Sequence, residues 1–96
     1  MNRNGFQDGD AIRKLREERA YFSERAQRGH WSIKAVARRV GITPQSLSNI
    51  ELGNKPASLA VLIRISRDLG VPVDQVIRAD EDIPAEPEDA AAAEAA

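Results

Sequence analysis

Apolar residues recur at helical spacing before a glycine near the middle of the chain. Over residues 33–40, Val36, Ala37 and Val40 fall on one face of a helix, whereas the basic residues of this stretch fall elsewhere. Gly41 follows the last turn, where a residue with positive φ commonly ends a helix. This pattern predicts a short amphipathic helix that stops at Gly41.

A second amphipathic pattern follows directly. Thr43 stands at the position of an N-cap, and Pro44 stands at the first helical position, where no amide hydrogen is needed. Leu47 and Ile50 share one face, which we expect to pack inward. Residues 33–52 are therefore predicted to form two helices joined by a tight turn. The outward face of the second helix is short, polar and uncharged, and it consists of Pro44, Gln45, Ser48 and Asn49.

A longer helix is predicted upstream of this pair. Nothing interrupts a helix between Ala11 and Arg28, and we expect about five turns that end near Gly29. Its apolar stripe consists of Ile12, Leu15, Phe22 and Ala26. Tyr21 and Phe22 point roughly 100° apart on a helix, so one of the two is expected to be exposed.

Two further helices are predicted downstream. Ser58 is placed to cap a fourth helix, Leu59–Leu69, which Gly70 ends. The inner face of this helix consists of Leu59, Leu62, Ile63, Ser66 and Leu69. Pro72 opens a short fifth helix to about Arg78. The apolar positions of the fifth helix are Val73, Val76 and Ile77. The chain is therefore predicted to be all-α, with five helices and an elongated first helix.

The two ends of the chain differ from this helical middle. Residues 1–9 hold two glycines and two asparagines without a periodic pattern, which predicts a flexible start. From Asp80 onward the residues are mainly acidic residues, proline and alanine, and Ile83 is the one large apolar residue. Residues 80–96 are therefore predicted to be a disordered acidic tail. One domain is expected to span residues 10–79.

The composition narrows the class of protein. Ninety-six residues allow one small domain, and no cysteine is present to form a disulfide or a zinc site. His30 has no second histidine with which to share a metal, and no acidic residues cluster on a segment expected to be ordered, so we expect no cofactor and no enzyme activity. Trp31 is expected to cover one end of the helical bundle. No apolar run approaches the roughly 20 residues of a membrane span, and the start of the chain lacks the apolar segment of a signal peptide, so a cytoplasmic protein without membrane contact is expected.

Charge is distributed unevenly along the chain. All fourteen basic residues precede residue 79, whereas seven of the fifteen acidic residues follow it. The other eight acidic residues leave residues 1–79 with a net charge of +6, although the whole chain carries −1. A small domain with this charge can contact DNA phosphates, and its attraction to DNA should weaken as the salt concentration rises.

The central residues also carry the motif of a known family. The pattern AxxxGI(T)xxxLSxIExG resembles the Cro/cI-type (XRE) helix-turn-helix family of phage repressors and bacterial regulators. It is formed by Ala37, Gly41, Ile42, Leu47, Ser48, Ile50, Glu51 and Gly53. The following stretch NKPASLAVLIRISRDLGVPVDQVI continues the resemblance. The resemblance implies a compact five-helix, lambda-repressor-like domain that places the helix Pro44–Leu52, the recognition helix, in the DNA major groove.

Two groups of residues are expected to contact DNA. Amide side chains such as those of Gln45 and Asn49 donate and accept together, so they can pair with an adenine edge, and small serines allow close approach to base or phosphate. The expected base-reading residues are Pro44, Gln45, Ser48 and Asn49. The expected phosphate contacts are Ser32, Lys34, Arg38, Thr43, Ser46, Asn54 and Lys55, the last two by resemblance to the family's contacts at the exit of the recognition helix.

Glu51 resembles the family's glutamate that ties the end of the recognition helix to an arginine on the first helix. Two registers are open for the partner. The segment LREER supplies Arg16 but lies far upstream of the second helix. The other register takes Arg25 and Gly29 as the family's residues and leaves residues 11–19 as an extension. In both registers Glu51 is a positioning residue that fixes the angle between helices.

These features favour a sequence-specific, double-stranded-DNA-binding regulator of transcription that acts as a repressor. A homodimer is expected, because two copies let two recognition helices meet half-sites one DNA turn apart. The alternative is an antitoxin that binds its own operator with the same domain. Such a protein would neutralise a protein toxin through its first helix or its acidic tail.

Overall fold

The computed structural model describes residues 6–78, which form four α-helices and two 3₁₀ segments. In chain order these are α1 (Gly9–Phe22), a 3₁₀ segment (Arg25–Trp31), α2 (Ile33–Val40), α3 (Pro44–Leu52), α4 (Leu59–Leu69) and a 3₁₀ turn (Val73–Gln75). The predicted all-α class is confirmed, and the fifth helix is present as the short 3₁₀ turn. The predicted acidic tail, residues 80–96, lies outside the described residues. Over residues 6–78, every helix falls short of the length and apolar character that crossing a membrane requires.

Each α-helix begins at a side chain that caps its first turn. The Oδ1 atom of Asp8 accepts a hydrogen bond from the amide of Ala11 at 3.0 Å. The hydroxyls of Ser32, Thr43 and Ser58 accept in the same way from the amides of the residues three positions later. Because caps are local interactions, the sequence predicts the starts of α2, α3 and α4 correctly.

The first helix is shorter than predicted. α1 ends at Phe22, so the prediction of one continuous helix over residues 11–28 is wrong. The hydroxyl of Ser23 donates to the carbonyl of Arg19 at 2.5 Å, and the extended backbone of Ser23, with ψ of 155°, ends the α-helical hydrogen bonding. Phe22 and Ala26, two members of the predicted apolar stripe, are exposed.

The core lies where the four α-helices meet. Its largest fully buried side chains are Ile12, Val36, Leu47, Leu62, Ile65, Leu69 and Val76. Ile65 is buried although it lies outside the predicted inner face of α4, whereas Leu59 of that face is only partly buried. α4 packs against both α1 and α2, so these neighbours cover a wider arc of it than a single apolar stripe.

Residues 6–9 belong to the folded domain, so the prediction of a flexible start over residues 1–9 is wrong for them. The side chain of Gln7 is buried, donates to the carbonyl of Lys55 at 2.7 Å and accepts from the amide of Ala57 at 3.2 Å. Gln7 also forms an isolated antiparallel bridge with Ile77. The start of α1, the loop after α3 and the end of the described chain therefore lie side by side.

Two arginines close the C-terminal ends of other helices. The Nε atom of Arg19 donates to the carbonyl of Leu69 at 3.0 Å, at the end of α4. The guanidinium of Arg64 donates to the carbonyl of Val40 at 3.4 Å, at the end of α2. A cation at this end of a helix opposes the negative end of the helix dipole. These contacts hold the end of α1 against α4 and the end of α2 against α4.

Candidate nucleic-acid interface

α2 and α3 are joined by the tight turn that the sequence predicts. Gly41 has φ of 88°, in the left-handed region that favours glycine. Its amide and that of Ile42 both donate to the carbonyl of Ala37, at 2.9 and 3.0 Å. Ala37 is fully buried, so a side chain larger than a methyl group has no space at the crossing of the two helices. The turn and the small residue together fix the orientation of α3 relative to α2.

α3 has one buried and one outward face. Leu47 and Ile50 are buried in the core, as the spacing predicts. Of the predicted base-reading residues, Pro44 and Gln45 are exposed, and Ser48 and Asn49 are half-buried. The four lie along the outward face of one helix, with the most accessible pair in its first turn.

Several predicted phosphate contacts meet in a groove beside the start of α3. The groove has a volume of about 330 Å³ and is lined by Lys34, Arg38, Ile42, Thr43 and Pro44. Both cations are exposed, one helical turn apart on α2. The structure therefore brings Lys34 and Arg38 next to the helix that carries the base-reading candidates.

The predicted hydroxyl contacts belong to helix caps. Ser32 Oγ accepts from the amide of Ala35 at 3.1 Å. Thr43 Oγ1 accepts from the amide of Ser46 at 3.0 Å and donates to the Ser46 hydroxyl at 2.8 Å. A hydroxyl oxygen that accepts in a cap still has its own hydrogen, so Ser32 and Ser46 can each donate to a phosphate oxygen.

The remaining phosphate candidates, Asn54 and Lys55, lie in the exposed loop after α3. This loop is held from two sides. The amides of both residues donate to the carbonyl of Asn49, at 2.9 and 3.4 Å, and the carbonyl of Lys55 accepts from Gln7. Sequence reasoning missed Gln7, because a glutamine outside any periodic pattern gives no signal of burial.

The segment that carries this interface is mainly basic. Residues 32–57 contain four basic residues and one acidic residue, Glu51, which is only 5% exposed. No exposed carboxylate therefore lies within this segment of the described chain. A polyanion that approaches the start of α3 meets Lys34, Arg38 and neutral polar groups, an arrangement that favours DNA binding.

Glu51 pairs with Arg16, not with Arg25. Arg16 Nε and its terminal nitrogen donate to the two Glu51 oxygens at 2.8 and 3.0 Å, and Arg16 also donates to the carbonyl of Trp31 at 3.2 Å. The hydrogen bond to Glu51 raises the pKa of Arg16 above its ordinary value, although burial acts in the opposite direction. The register with LREER on the first helix is therefore the one that the fold uses, and Arg25 lies exposed in the 3₁₀ segment.

The start of α1 touches the end of α3 directly. A Cβ atom built on Gly9 would lie 2.7 Å from the carbonyl oxygen of Ile50 and closer still to that of Glu51. Only glycine permits this approach, because a methyl group would displace one of the two backbones. Gly9 and Arg16 thus hold the C-terminal half of α3 from two points on α1.

A second ion pair, which sequence reasoning missed, links α2 to α4. Arg39 binds Asp68 with two hydrogen bonds, at 2.7 and 3.0 Å. The Arg39 guanidinium also lies over the Trp31 ring, 5.0 Å from its centroid. Trp31 is half-buried and packs against the core. The spacing of apolar residues places Arg39 outward, and no local signal indicates its distant partner.

Comparison with known families agrees with this geometry. A helix-turn-helix family model matches residues 23–76, more than half of the chain. The chain belongs to the Cro/cI-type helix-turn-helix family. The resemblance drawn from the central motif is thereby confirmed, and the protein is a DNA-binding regulator of transcription. Searches of curated proteins and of solved structures found no significant match.

The family match begins after α1. It starts at residue 23, yet Arg16 and Gly9 of α1 make the contacts that hold α3. α1 therefore serves as the first helix of the helix-turn-helix domain. Residues 23–31, which include the 3₁₀ segment, form a long connection between α1 and α2. The family is one of DNA-binding, non-enzymatic domains. Over residues 6–78, no three His, Cys, Asp or Glu side chains are grouped closely enough to hold a metal ion.

Proposed function

We propose that this helix-turn-helix protein is a repressor that binds its operator as a homodimer and reads bases with Pro44, Gln45, Ser48 and Asn49. The observation that carries the proposal is the outward face of α3, which is polar and uncharged and is bordered by Lys34 and Arg38. An uncharged face permits readout by hydrogen bonds, and the flanking cations supply affinity for phosphates.

The remaining phosphate contacts surround this face. Ser32, Thr43 and Ser46 lie at the starts of α2 and α3, where helix N-termini favour anions, and Asn54 and Lys55 lie beyond the end of α3. Cations and amide groups on both sides of a recognition helix set its register on the duplex.

The size of the interface supports the proposed dimer. One domain with four base-reading positions contacts few base pairs, whereas two domains on half-sites one DNA turn apart double the contacts. A dimer seated over an operator excludes other proteins from that DNA, which is the simplest route to repression. The cytoplasmic location expected from the sequence stays a prediction.

Selection from a random DNA pool, followed by alanine substitution, tests the base-reading assignment. Gln45→Ala and Asn49→Ala should each lower affinity at one base pair by about 1–3 kcal/mol, with discrimination relaxed at that position. Gln75→Ala removes an exposed glutamine outside the interface and serves as the control. If both interface variants bind the selected sequence as tightly as the control does, the groove assignment is wrong.

Substitution of the proposed phosphate contacts should change DNA affinity in a different way from substitution of the base-reading residues. Lys34→Ala and Arg38→Ala should weaken binding to all sequences alike and reduce the slope of log affinity against log salt by about one each. A repressor should also lower transcription from a reporter that carries the selected site. Activation of that reporter would overturn the proposed sign of regulation.

The antitoxin alternative receives support from one observation. The C-terminal end of α1 exposes two aromatic side chains, which suits contact with another protein. A toxin bound through the first helix would copurify with the chain and would be lost when these aromatics are replaced. The acidic tail, the other extension considered for toxin binding, lies outside the described residues.

A further inference from the structure

The end of α1 carries an aromatic ridge, Tyr21 and Phe22, that no other part of the described chain covers. Tyr21 is 74% exposed and Phe22 is 81% exposed. The sequence predicts that one of them is exposed, and both are. The two rings contact each other edge to face, with centroids 5.0 Å apart.

Tyr21 lies on the side of α1 that faces away from the core, and Phe22 is exposed as the last residue of the helix. Tyr21 follows the fully buried Ile12 by nine residues, which at about 100° per residue places it on the opposite side of the helix. A groove on each side borders the ridge. One, of about 350 Å³, is lined by Lys14, Glu17, Glu18 and Tyr21. The other, of about 410 Å³, is lined by Leu15, Glu18, Arg19, Phe22, Ser23 and Trp31.

Ridge and grooves make the surface able to pack against a copy of itself. In a twofold interface the same patch on each copy supplies both the protruding and the receiving part. In an antiparallel pair, the Tyr21 ring of one copy would lie beside Lys14 of the other, at the edge of the groove that Lys14 lines, and the reverse contact would form at the same time.

The charges along α1 also favour binding of a second copy of the chain. Arg13 and Lys14 precede Glu17 and Glu18 by one helical turn, and all four side chains are exposed. When two such helices pack antiparallel, the basic turn of each faces the acidic turn of the other. We therefore infer that the aromatic ridge and the flanking charged turns of α1 bind a second copy of this chain, which rests on the homodimer proposed above.

The acidic tail of the same chain is a poorer occupant. It would bring seven further carboxylates against Glu17, Glu18 and the nearby Glu24. The described chain also ends at the other end of α1, where the amide of Arg78 donates to the carbonyl of Phe6 at 2.9 Å. Residues 32–57, which carry the DNA interface, contribute nothing to the ridge or its grooves, so dimer formation leaves α3 accessible.

The size of the ridge indicates a weak dimer. Phe and Tyr side chains bury roughly 150–250 Å² each, so four exposed rings account for on the order of 600 Å². Stable interfaces bury about 1,200–2,000 Å², so the stems of the flanking charged residues must supply the remainder. Free chains should therefore associate weakly, and DNA that holds two domains side by side should strengthen the contact.

Sedimentation of charge-swapped variants tests this inference without DNA. Arg13→Glu/Lys14→Glu makes the outer face of α1 acidic, and Glu17→Lys/Glu18→Lys makes it basic. Each variant alone should be monomeric where the wild type dimerises, and a mixture of the two should form heterodimers. A wild type that stays monomeric at all concentrations, or variants that dimerise alone as the wild type does, would overturn the inference.

Removal of the rings gives an independent measurement. Tyr21→Ser/Phe22→Ser should abolish self-association, whereas Leu52→Ser, which removes a side chain that is 62% exposed elsewhere, should not. On DNA the ring variant should lose affinity on the order of tenfold or more for two half-sites and less than about twofold for one half-site. Equal losses of affinity for the two-half-site DNA and the one-half-site DNA would contradict the inference that the ridge binds a second copy. The same inference would be contradicted if the chain does not self-associate and the ridge binds a different protein. Failure of the wild type to bind any DNA would instead overturn the proposed function and leave the sedimentation result standing.

Discussion

The buried pair of Arg16 and Glu51 gives the largest effect that we expect from one substitution. The Glu51 side chain is 3% exposed, and Arg16 binds both of its oxygens. Arg16→Met would leave this carboxylate buried without its cation, at a cost of about 3–5 kcal/mol. A domain of this size has a total stability of roughly 4–11 kcal/mol, so the variant should lose a large part of it.

Arg16→Met and Glu51→Leu should lower the free energy of unfolding by different amounts. Glu51→Leu leaves Arg16, whose side chain is 13% exposed and still donates to the carbonyl of Trp31. Since this guanidinium keeps a partner and some access to water, we expect a loss of about 1–3 kcal/mol. In the double variant no charge is left unpaired, so its loss should lie well below the sum of the two single losses.

Urea unfolding of the four proteins in this cycle measures these differences. Thermal midpoints should follow, with a decrease of roughly 12 °C or more for Arg16→Met. Arg13→Met is the matched control, because Arg13 lies on the same helix and its side chain is 45% exposed in a surface pair. Its loss should stay within about 0.5 kcal/mol. If Arg16→Met and Arg13→Met unfold at the same urea concentration, the buried pair does not hold α1 to α3 and the reasoning fails.

One further substitution and one deletion test the surroundings of the interface. Gly9→Ala should destabilise the domain by about 1–3 kcal/mol, because the new methyl group meets the carbonyl oxygens of Ile50 and Glu51. Gly29→Ala is the control, because no atom lies within 4 Å of the position where its Cβ would be. Equal urea midpoints for the two variants would contradict the predicted clash at Gly9. Deletion of residues 80–96 removes seven carboxylates from a chain that leaves the described domain beside the loop of Lys55. The deletion should tighten binding to random-sequence DNA at low salt with little change in the thermal midpoint, and unchanged DNA affinity would show that the acidic residues do not compete with phosphates.

Local chemistry makes much of the helix-turn-helix unit predictable from the sequence. The caps at Ser32 and Thr43 act over three residues, and the turn at Gly41 depends on one glycine with positive φ. The inward face of α3 follows from the spacing of Leu47 and Ile50 alone. The outward face of α3, and with it the set of candidate DNA-reading residues, therefore follows from the sequence by itself.

Contacts between distant segments are decided only by the tertiary structure. The choice of Arg16 over Arg25 depends on a pair 35 residues apart, and the pair of Arg39 with Asp68 spans 29 residues. The burial of Gln7 depends on partners 48 and 50 residues away. None of these partners leaves a periodic or capping signal near the residue that it holds. The end of α1 is also mispredicted, because periodicity counts Phe22 as a core residue, whereas the packed helices leave no buried position for it.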